Sequence, residues 1–196
     1  MGTRHLVAAI VDNEFRVAQY GQFDGYPTGQ GQDLVDYLRK VDISELYERV
    51  KQVRFANDED IETVRELLNQ FNKMLPDYEG YEELERKLEP FAPSCSSEIF
   101  EYLMDNPDCL PLKDNSNFGK DSLFCEWAYI VNFDTNSLEV YKGFNMNPVP
   151  ESNPFAKGFV PHVPAYRAGE DPYHPVSLVA EYPLNDLPVS ISDLED

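Results

Sequence analysis

The sequence predicts an α+β fold, in which a mainly antiparallel sheet from two β-hairpins carries a set of helices inserted between them. Three observations support this: strand-like apolar patterns near both ends of the chain, helix-like apolar spacing between them, and a globular composition. The chain has 196 residues, of which 42% are hydrophobic and 13% aromatic. That is enough apolar material for a folded domain with its own core.

The first predicted hairpin spans residues 5–20. Residues 5–11 are apolar on both alternating faces, which is typical of a central strand. Asp12 and Asn13 predict a two-residue turn. Residues 14–20 alternate apolar with polar side chains, which indicates a half-exposed second strand.

A glycine-rich loop follows at residues 19–31 and carries four of the ten glycines. It runs from a strand into a helix N-terminus, a geometry that can bind an anion. The glycine spacing matches neither a dinucleotide fingerprint nor a phosphate loop. Polar side chains alternate with aromatic ones, which indicates a small-molecule or peptide pocket. The alternative is a tight loop whose side chains satisfy its own backbone donors.

Five helices are predicted between the hairpins. The first starts at Gly31, the second is capped by Asp42, and the third is capped near Asn57 or Asp58. Apolar side chains at helical spacing mark the third helix; they are Ile61, Val64, Leu67, Leu68, Phe71 and Leu75. Two shorter helices are predicted around residues 81–88 and 97–104.

The second predicted hairpin has strands at residues 123–133 and 138–141, with Cys125 on the same face as Trp127 and Tyr129. A last strand is predicted at residues 176–182. The predicted organisation is one domain over residues 1–182, with a helical insertion at about 31–105 and a proline-rich region at about 147–175. Residues 183–196 form an acidic tail, expected to be frayed or, alternatively, to add a strand to a partner through Val189 and Ile191.

The charge is strongly negative, because 36 acidic residues face 16 basic ones and give a net charge of −20. Such a surface repels phosphate backbones and anionic lipids, so we expect no direct nucleic-acid binding and no membrane association. A basic protein partner is expected instead, and the alternative is that the acidity serves solubility. Three cysteines without metal-like spacing indicate a reducing compartment, so a cytoplasmic location is expected. No cofactor is predicted, and the oligomeric state stays open.

The candidate binding residues lie in the first strand, the glycine-rich loop and the second hairpin; they are Arg4, Gln19, Tyr20, Gln22, Asp24, Tyr26, Glu126 and Trp127. Partial burial of Asp24 and Glu126 would raise the pKa of a carboxyl group toward the range for general acid–base work. The thiols of Cys95 and Cys125, with His5, His162 or His174, are the candidate nucleophile–base pairs. None lies in a diagnostic motif, so no catalytic residue and no metal ligand is assigned.

The start of the chain resembles the start of a family of small uncharacterised proteins from bacteria, phages and fungi. The resemblance lies in Gly2-Thr3-Arg4, residues 17–27 and Gly29-Gln30-Gly31. The segment Cys125 to Tyr129 is similar to the same family, in which the loop aromatic is commonly Trp where this chain has Phe23. The resemblance implies no particular activity. The order of hairpin, glycine-rich loop, helix and hairpin is also loosely similar to N-terminal-nucleophile hydrolases and class II glutamine amidotransferases. Those enzymes need a nucleophile at the mature N-terminus, whereas Thr3 here follows Gly2.

Three functions are therefore considered. The leading one is an acidic module that binds a basic protein, including a nucleic-acid mimic that blocks a nucleic-acid-binding protein. The second is a hydrolase or amidotransferase that uses Thr3, Arg4, Asp24 or Glu126. The third is a small-ligand sensor with its pocket at the glycine-rich loop.

Overall fold

The computed structural model describes residues 2–74, 80–92, 94–161 and 171–195. Within these ranges, five strands form one sheet in the order β2-β1-β3-β4-β5. They are β1 His5–Val11, β2 Glu14–Gly21, β3 Trp127–Asn132, β4 Ser137–Lys142 and β5 Ser177–Pro183. Strand β1 pairs with β3 in parallel, and the other neighbours are antiparallel. The predicted α+β fold is confirmed.

Both hairpins form where the sequence predicts them. Asp12 and Asn13 have φ angles of 58° and 59°, as a two-residue turn between twisted strands requires. Asn136, in the second turn, also has a positive φ, of 54°. Asn and Asp tolerate this backbone region better than most residues, so the turn chemistry fixes the register of each hairpin.

The helices are α1 Gln32–Leu38, α2 Ile43–Lys51, α3 Asp58–Phe71, α4 Tyr81–Leu88 and α5 Ile99–Asp105. The predicted caps are confirmed. The Asp42 carboxylate accepts hydrogen bonds from the backbone N–H groups of Ser44 and Glu45. Asn57 and Asp60 form a reciprocal capping box at the start of α3.

Both faces of the sheet are buried at β1, which explains why its residues 6–11 are all apolar. Val7, Ala9 and Val11 face a core that includes residues of α1, α2 and α5. Leu6 and Ala8 face a second cluster that includes Phe155 from the loop before β5. A central strand between two packed layers has no polar face.

The predicted strand over residues 123–133 is wrong at its first four residues. The backbone turns there, with the Cys125 N–H donating to Asp121 O at 2.8 Å, and the strand begins at Trp127. Cys125 therefore lies in the second cluster, across the sheet from Trp127 and Tyr129. A turn breaks the two-residue alternation on which the same-face assignment depended.

The third helix forms as predicted, but its apolar face is not fully buried. Val64 is 7% exposed, whereas Ile61 and Leu68 are 45% and 38% exposed. The reason is that α3 packs with α4 in a small satellite cluster, separate from the sheet. Leu75 lies outside the described residues.

The expectation of a frayed or strand-adding tail is wrong for residues 183–195. Leu184 and Ile191 are buried in the main core. The Gln32 amide donates to Val189 O at 2.9 Å and accepts from the Ile191 N–H at 3.3 Å. A short helical turn, Ser192–Glu195, closes the described chain. Because Ile191 packs in the core of this chain, it is not available to bind a partner as the predicted strand-adding peptide would require.

None of the helices in the described part of the chain has the length and apolarity needed to cross a bilayer. The predicted proline-rich region falls partly outside the described residues, at 162–170.

Candidate functional site

The glycine-rich loop wraps around the side chain of His5, at the edge where β1 begins and β2 ends. A Cβ atom on Gly25 would lie 2.7 Å from His5 Cγ, and one on Gly21 would overlap Cε1 and Nε2 of the same ring. Real side chains do not tolerate such approaches. These two glycines are therefore required by the packing of an imidazole, without any ligand.

His5 is fully buried and forms a hydrogen bond through Nε2 to Ser96 Oγ. Its Nδ1 lies 3.4 Å from Thr3 O, a carbonyl that can only accept, which assigns the ring proton to Nδ1. Burial lowers the pKa of His5 to about 4, against weaker opposing effects of Thr3 and Asp24. The imidazole is therefore neutral at physiological pH and accepts the Ser96 hydroxyl proton.

Ser96 itself has a φ of 43°, which is unusual for a residue with a side chain. It lies at the start of the short helical turn Ser96–Glu98 that leads into α5. Ser96 is 2% exposed. The pair has the hydrogen bonding of a nucleophile and its base, but the described conformation keeps both groups away from solvent.

Two further polar groups of the loop, the Gln30 amide and the Gly25 carbonyl, also have hydrogen-bond partners within the protein. Gln30 Oε1 accepts from the Ser97 N–H at 3.1 Å and from Ser97 Oγ at 2.7 Å. The Tyr129 hydroxyl donates to Gly25 O at 2.9 Å. These contacts fit the interpretation of a tight loop that satisfies its own backbone.

The sequence indicates that this loop can bind an anion, and a carboxylate from the protein's own tail lies there. Glu195 Oε1 accepts from the Thr28 N–H at 2.7 Å and from Thr28 Oγ1 at 2.5 Å. Thr28 belongs to the short helical turn Pro27–Gly31 that precedes α1. A carboxylate from residue 195 thus occupies donors that an external anion would use.

Three of the eight candidate binding residues meet at the start of β1 and β3. The Arg4 N–H donates to Glu126 Oε1 at 3.3 Å, and Arg4 O accepts from the Glu126 N–H at 3.0 Å. The Arg4 guanidinium lies 4.6 Å from the ring centroid of Phe124. Trp127 is buried beneath Lys142, whose Nζ lies 5.1 Å from the indole.

The other five candidates do not join this group by any contact in the described residues. Gln19 is buried and donates to Pro90 O at 3.0 Å. Tyr20 makes an edge contact with Phe118, with ring centroids 5.0 Å apart. The side chains of Gln22, Asp24 and Tyr26 are exposed. The partial burial that would raise the pKa of a carboxyl group does not occur at Asp24, which is a surface acid, whereas Glu126 is half-buried.

The candidate thiol nucleophiles are buried. Burial raises the pKa of Cys95 to about 12 and raises the pKa of Cys125 further, and the Cys125 thiol donates to Trp127 O at 3.3 Å. His174 packs against Phe159, with ring centroids 5.7 Å apart, and His162 lies outside the described residues. No group of three metal-ligating side chains is assembled in the described ranges.

A separate groove, which the sequence did not indicate, runs along α3, α4 and α5 through three cavities; we call it the α3–α5 groove. The first cavity, of about 300 Å³, and the second, of about 570 Å³, share Leu68 and Phe91. The third, of about 420 Å³, shares Arg86 and Glu89 with the second. Its remaining lining residues are Glu98, Glu101, Tyr102, Asp105 and Asn106.

Carboxylates dominate the described lining of the third cavity, where Glu89, Glu98, Glu101 and Asp105 outnumber Arg86. Burial, followed by repulsion from Glu98, Glu101 and Glu85, raises the pKa of Glu89. Four ion pairs occur in the described part of the chain, and the acidic partners are Glu14, Asp60, Glu62 and Glu83. None of them lines this cavity. Glu98, Glu101 and Asp105 recur at helical spacing, a signal from which their shared face could have been predicted.

The fold and its surfaces define an acidic α+β protein with a groove that is apolar along one part and carboxylate-lined along the other. No protein-family model, curated protein or solved structure matches the chain. The resemblance to the bacterial, phage and fungal family therefore stays a prediction.

Proposed function

We propose that this protein is a binding module that engages a basic protein partner through its acidic surface. The observation that carries the proposal is the third cavity of the α3–α5 groove. Its lining in the described part of the chain has four carboxylates, Glu89, Glu98, Glu101 and Asp105, and one cation, Arg86. Burial, and then repulsion from Glu98, Glu101 and Glu85, raises the pKa of Glu89. Lysine or arginine side chains from a partner would relieve this repulsion.

The net negative charge of the whole molecule also favours binding of basic proteins. A net charge of −20 steers basic proteins toward the surface and repels acidic ones. Carboxylates spaced along a groove can also replace phosphates in front of a basic surface that ordinarily binds nucleic acid. Inhibition of a nucleic-acid-binding protein by mimicry is therefore the form of this function that we favour.

The test is capture of partners from the native host on the tagged protein, with washes at about 50 mM and about 150 mM salt, read by mass spectrometry. We expect enrichment of a basic protein that survives the second wash. The triple variant Glu98→Gln, Glu101→Gln, Asp105→Asn should lose it. The control variant Glu48→Gln, Glu181→Gln, Asp186→Asn removes the same charge from exposed positions on other elements and should retain it. Equal loss in both variants would contradict a specific site.

A second candidate function is acyl transfer at Ser96, favoured by the hydrogen bond from a serine in a strained backbone conformation to a neutral imidazole. The Ser96 oxygen would bond to the carbonyl carbon of an ester. The Ser96 proton would pass to His5 Nε2 and then to the alkoxy oxygen, as the bond from that oxygen to the carbonyl carbon breaks and the alcohol leaves. A water molecule would then hydrolyse the acyl-serine and return a proton to Ser96. The glycine-rich loop would have to move, because both groups are buried.

A fluorophosphonate probe tests this second candidate, since it reacts covalently with activated serines. Labelling of the native protein that disappears in Ser96→Ala, but persists in Ser94→Ala as a control, would support it. Native protein that stays unlabelled over prolonged incubation would remove the candidate.

A further inference from the structure

We infer that the α3–α5 groove binds an amphipathic, basic helix of the partner, with its apolar residues in the first two cavities and its lysines or arginines over the third. This inference rests on the proposed function and adds to it the site and the form of the partner. Three features of the groove support it: its apolar floor, its graded charge and the elements that form its walls.

The first two cavities share apolar lining residues, and part of this apolar surface is exposed. Leu68 and Phe91 line both the first and the second cavity, and Phe71 and Leu88 extend the floor of the second. Leu68 is 38% exposed and Ile61, in the first cavity, is 45% exposed. Leucine-sized side chains of a partner would fill these cavities and remove their apolar surface from water.

The charge along the groove is graded, and this gradient sets the direction of the bound segment. The first cavity is lined by Arg65 and Lys113, whereas the third is lined by four carboxylates. The second cavity, between them, has Glu82, Glu85 and Glu89 beside its apolar floor. A basic cluster therefore belongs at the α5 end, and neutral or acidic residues belong at the α3 end.

The walls of the groove favour a helix over an extended strand. The first cavity lies between α3 and the segments that carry Phe91 and Lys113, the second between α3 and α4, and the third between the end of α4 and α5. The described residues that line them include none from the five strands. A partner strand would need an open sheet edge to pair with. A helix needs only an apolar channel that accepts side chains at i, i+3, i+4 and i+7, together with charges that match its polar face.

Two labelled synthetic peptides of leucine and lysine provide the probe. In the first, leucines follow helical spacing and lysines cluster toward one end; the second has the same composition in scrambled order. Fluorescence anisotropy with the full chain at about 150 mM salt measures the affinities. We expect the ordered peptide to bind about tenfold more tightly, a difference of ~1.4 kcal/mol.

Two variants test whether the ordered peptide binds in the α3–α5 groove. Leu68→Gln should weaken binding of the ordered peptide about tenfold, because it puts an amide on the apolar floor. Leu178→Gln is the matched control, since Leu178 is 49% exposed on β5, and it should leave the affinity unchanged. Neither side chain is buried, so both variants should keep the native circular dichroism spectrum and melting temperature.

The outcomes separate this inference from the proposed function. Equal affinity for both peptides, or an unchanged affinity in Leu68→Gln, would overturn the helix-in-groove inference and leave binding of basic partners intact. Failure of both peptides and of polylysine to bind, even at about 50 mM salt, would overturn the proposed function as well.

Discussion

The carboxylate of Asp134, in the turn of the second hairpin, binds the backbone of Asn13, in the turn of the first. Asp134 Oδ2 accepts from the Asn13 N–H at 2.6 Å, and Oδ1 accepts from the Asp12 N–H at 2.9 Å. The two turns thus lie together at the end of the parallel pair β1 and β3. One side chain ties two hairpins whose central strands are distant in sequence.

Asp134→Ala should therefore lower the free energy of unfolding by about 1 kcal/mol, because it leaves two turn N–H groups to be satisfied by water alone. Urea titration followed by circular dichroism measures the change. Asp186→Ala, an exposed acid in another turn, should change the midpoint far less. Equal effects would indicate that net charge, and not the link between the turns, sets the stability.

Gly25→Ala should destabilise the protein by about 1–3 kcal/mol, because the new methyl group overlaps the His5 ring. The backbone of Gly25 has no positive φ, so the effect comes from the close contact alone. The double variant with His5→Ala removes the overlapping ring. A double-mutant cycle should therefore show that the second change recovers part of the loss, whereas simple additivity would contradict the contact.

The stability should fall with acidification in a window set by His5. Its pKa is about 4 in the folded protein and near 6.5 when the chain is unfolded, so only the unfolded state binds the proton between these values. The contribution of neutral His5 is fully present above about pH 6.5 and is lost as the pH falls toward 4. The loss should reach about 2 kcal/mol at about pH 5.

The variant His5→Asn isolates this contribution from the many carboxylates, which titrate in both proteins. We expect the wild type to lose more stability than His5→Asn between about pH 7 and about pH 5 in parallel urea titrations. Parallel curves for the two proteins would show that His5 is protonated in the fold.

The tail should contribute to the stability of the core through Ile191, which is fully buried. Ile191→Ala should lower the free energy of unfolding by about 2–4 kcal/mol, as other large-to-small changes in cores do. Val189→Ala is the control, because Val189 is 74% exposed. A thermal melt that shows similar small shifts for both variants would mean that the tail detaches in solution.

Most of the fold follows from local patterns in the sequence. The strands of the first hairpin, the turn at Asp12 and Asn13, and the caps at Asp42 and Asn57 depend on neighbouring residues, and all of them are confirmed. The second hairpin also forms, although its first strand begins four residues later than predicted. The errors in the predicted burial arise where packing between helices determines which side chains are exposed. Leu68 has the spacing of a buried residue, but α3 packs on α4 away from the sheet and leaves it exposed.

The candidate site was less predictable, because its contacts join distant segments. Ser96 meets His5 across 91 residues, and no local motif marks either of them. Glu195 meets Thr28 across 167 residues. The glycines of the loop indicate in the sequence that some group lies close to the backbone there. Only the fold shows that this group is the side chain of His5.

The parallel pairing of β1 with β3 also has a consequence for synthesis on the ribosome. His5 pairs with Trp127, so the first hairpin emerges long before its neighbouring strand exists. Until then β1, apolar on both faces, has an unpaired edge that can aggregate or be recognised by chaperones. A stalled nascent chain that ends before β3 should be cut rapidly by protease, and one that extends past β4 and β5 should resist.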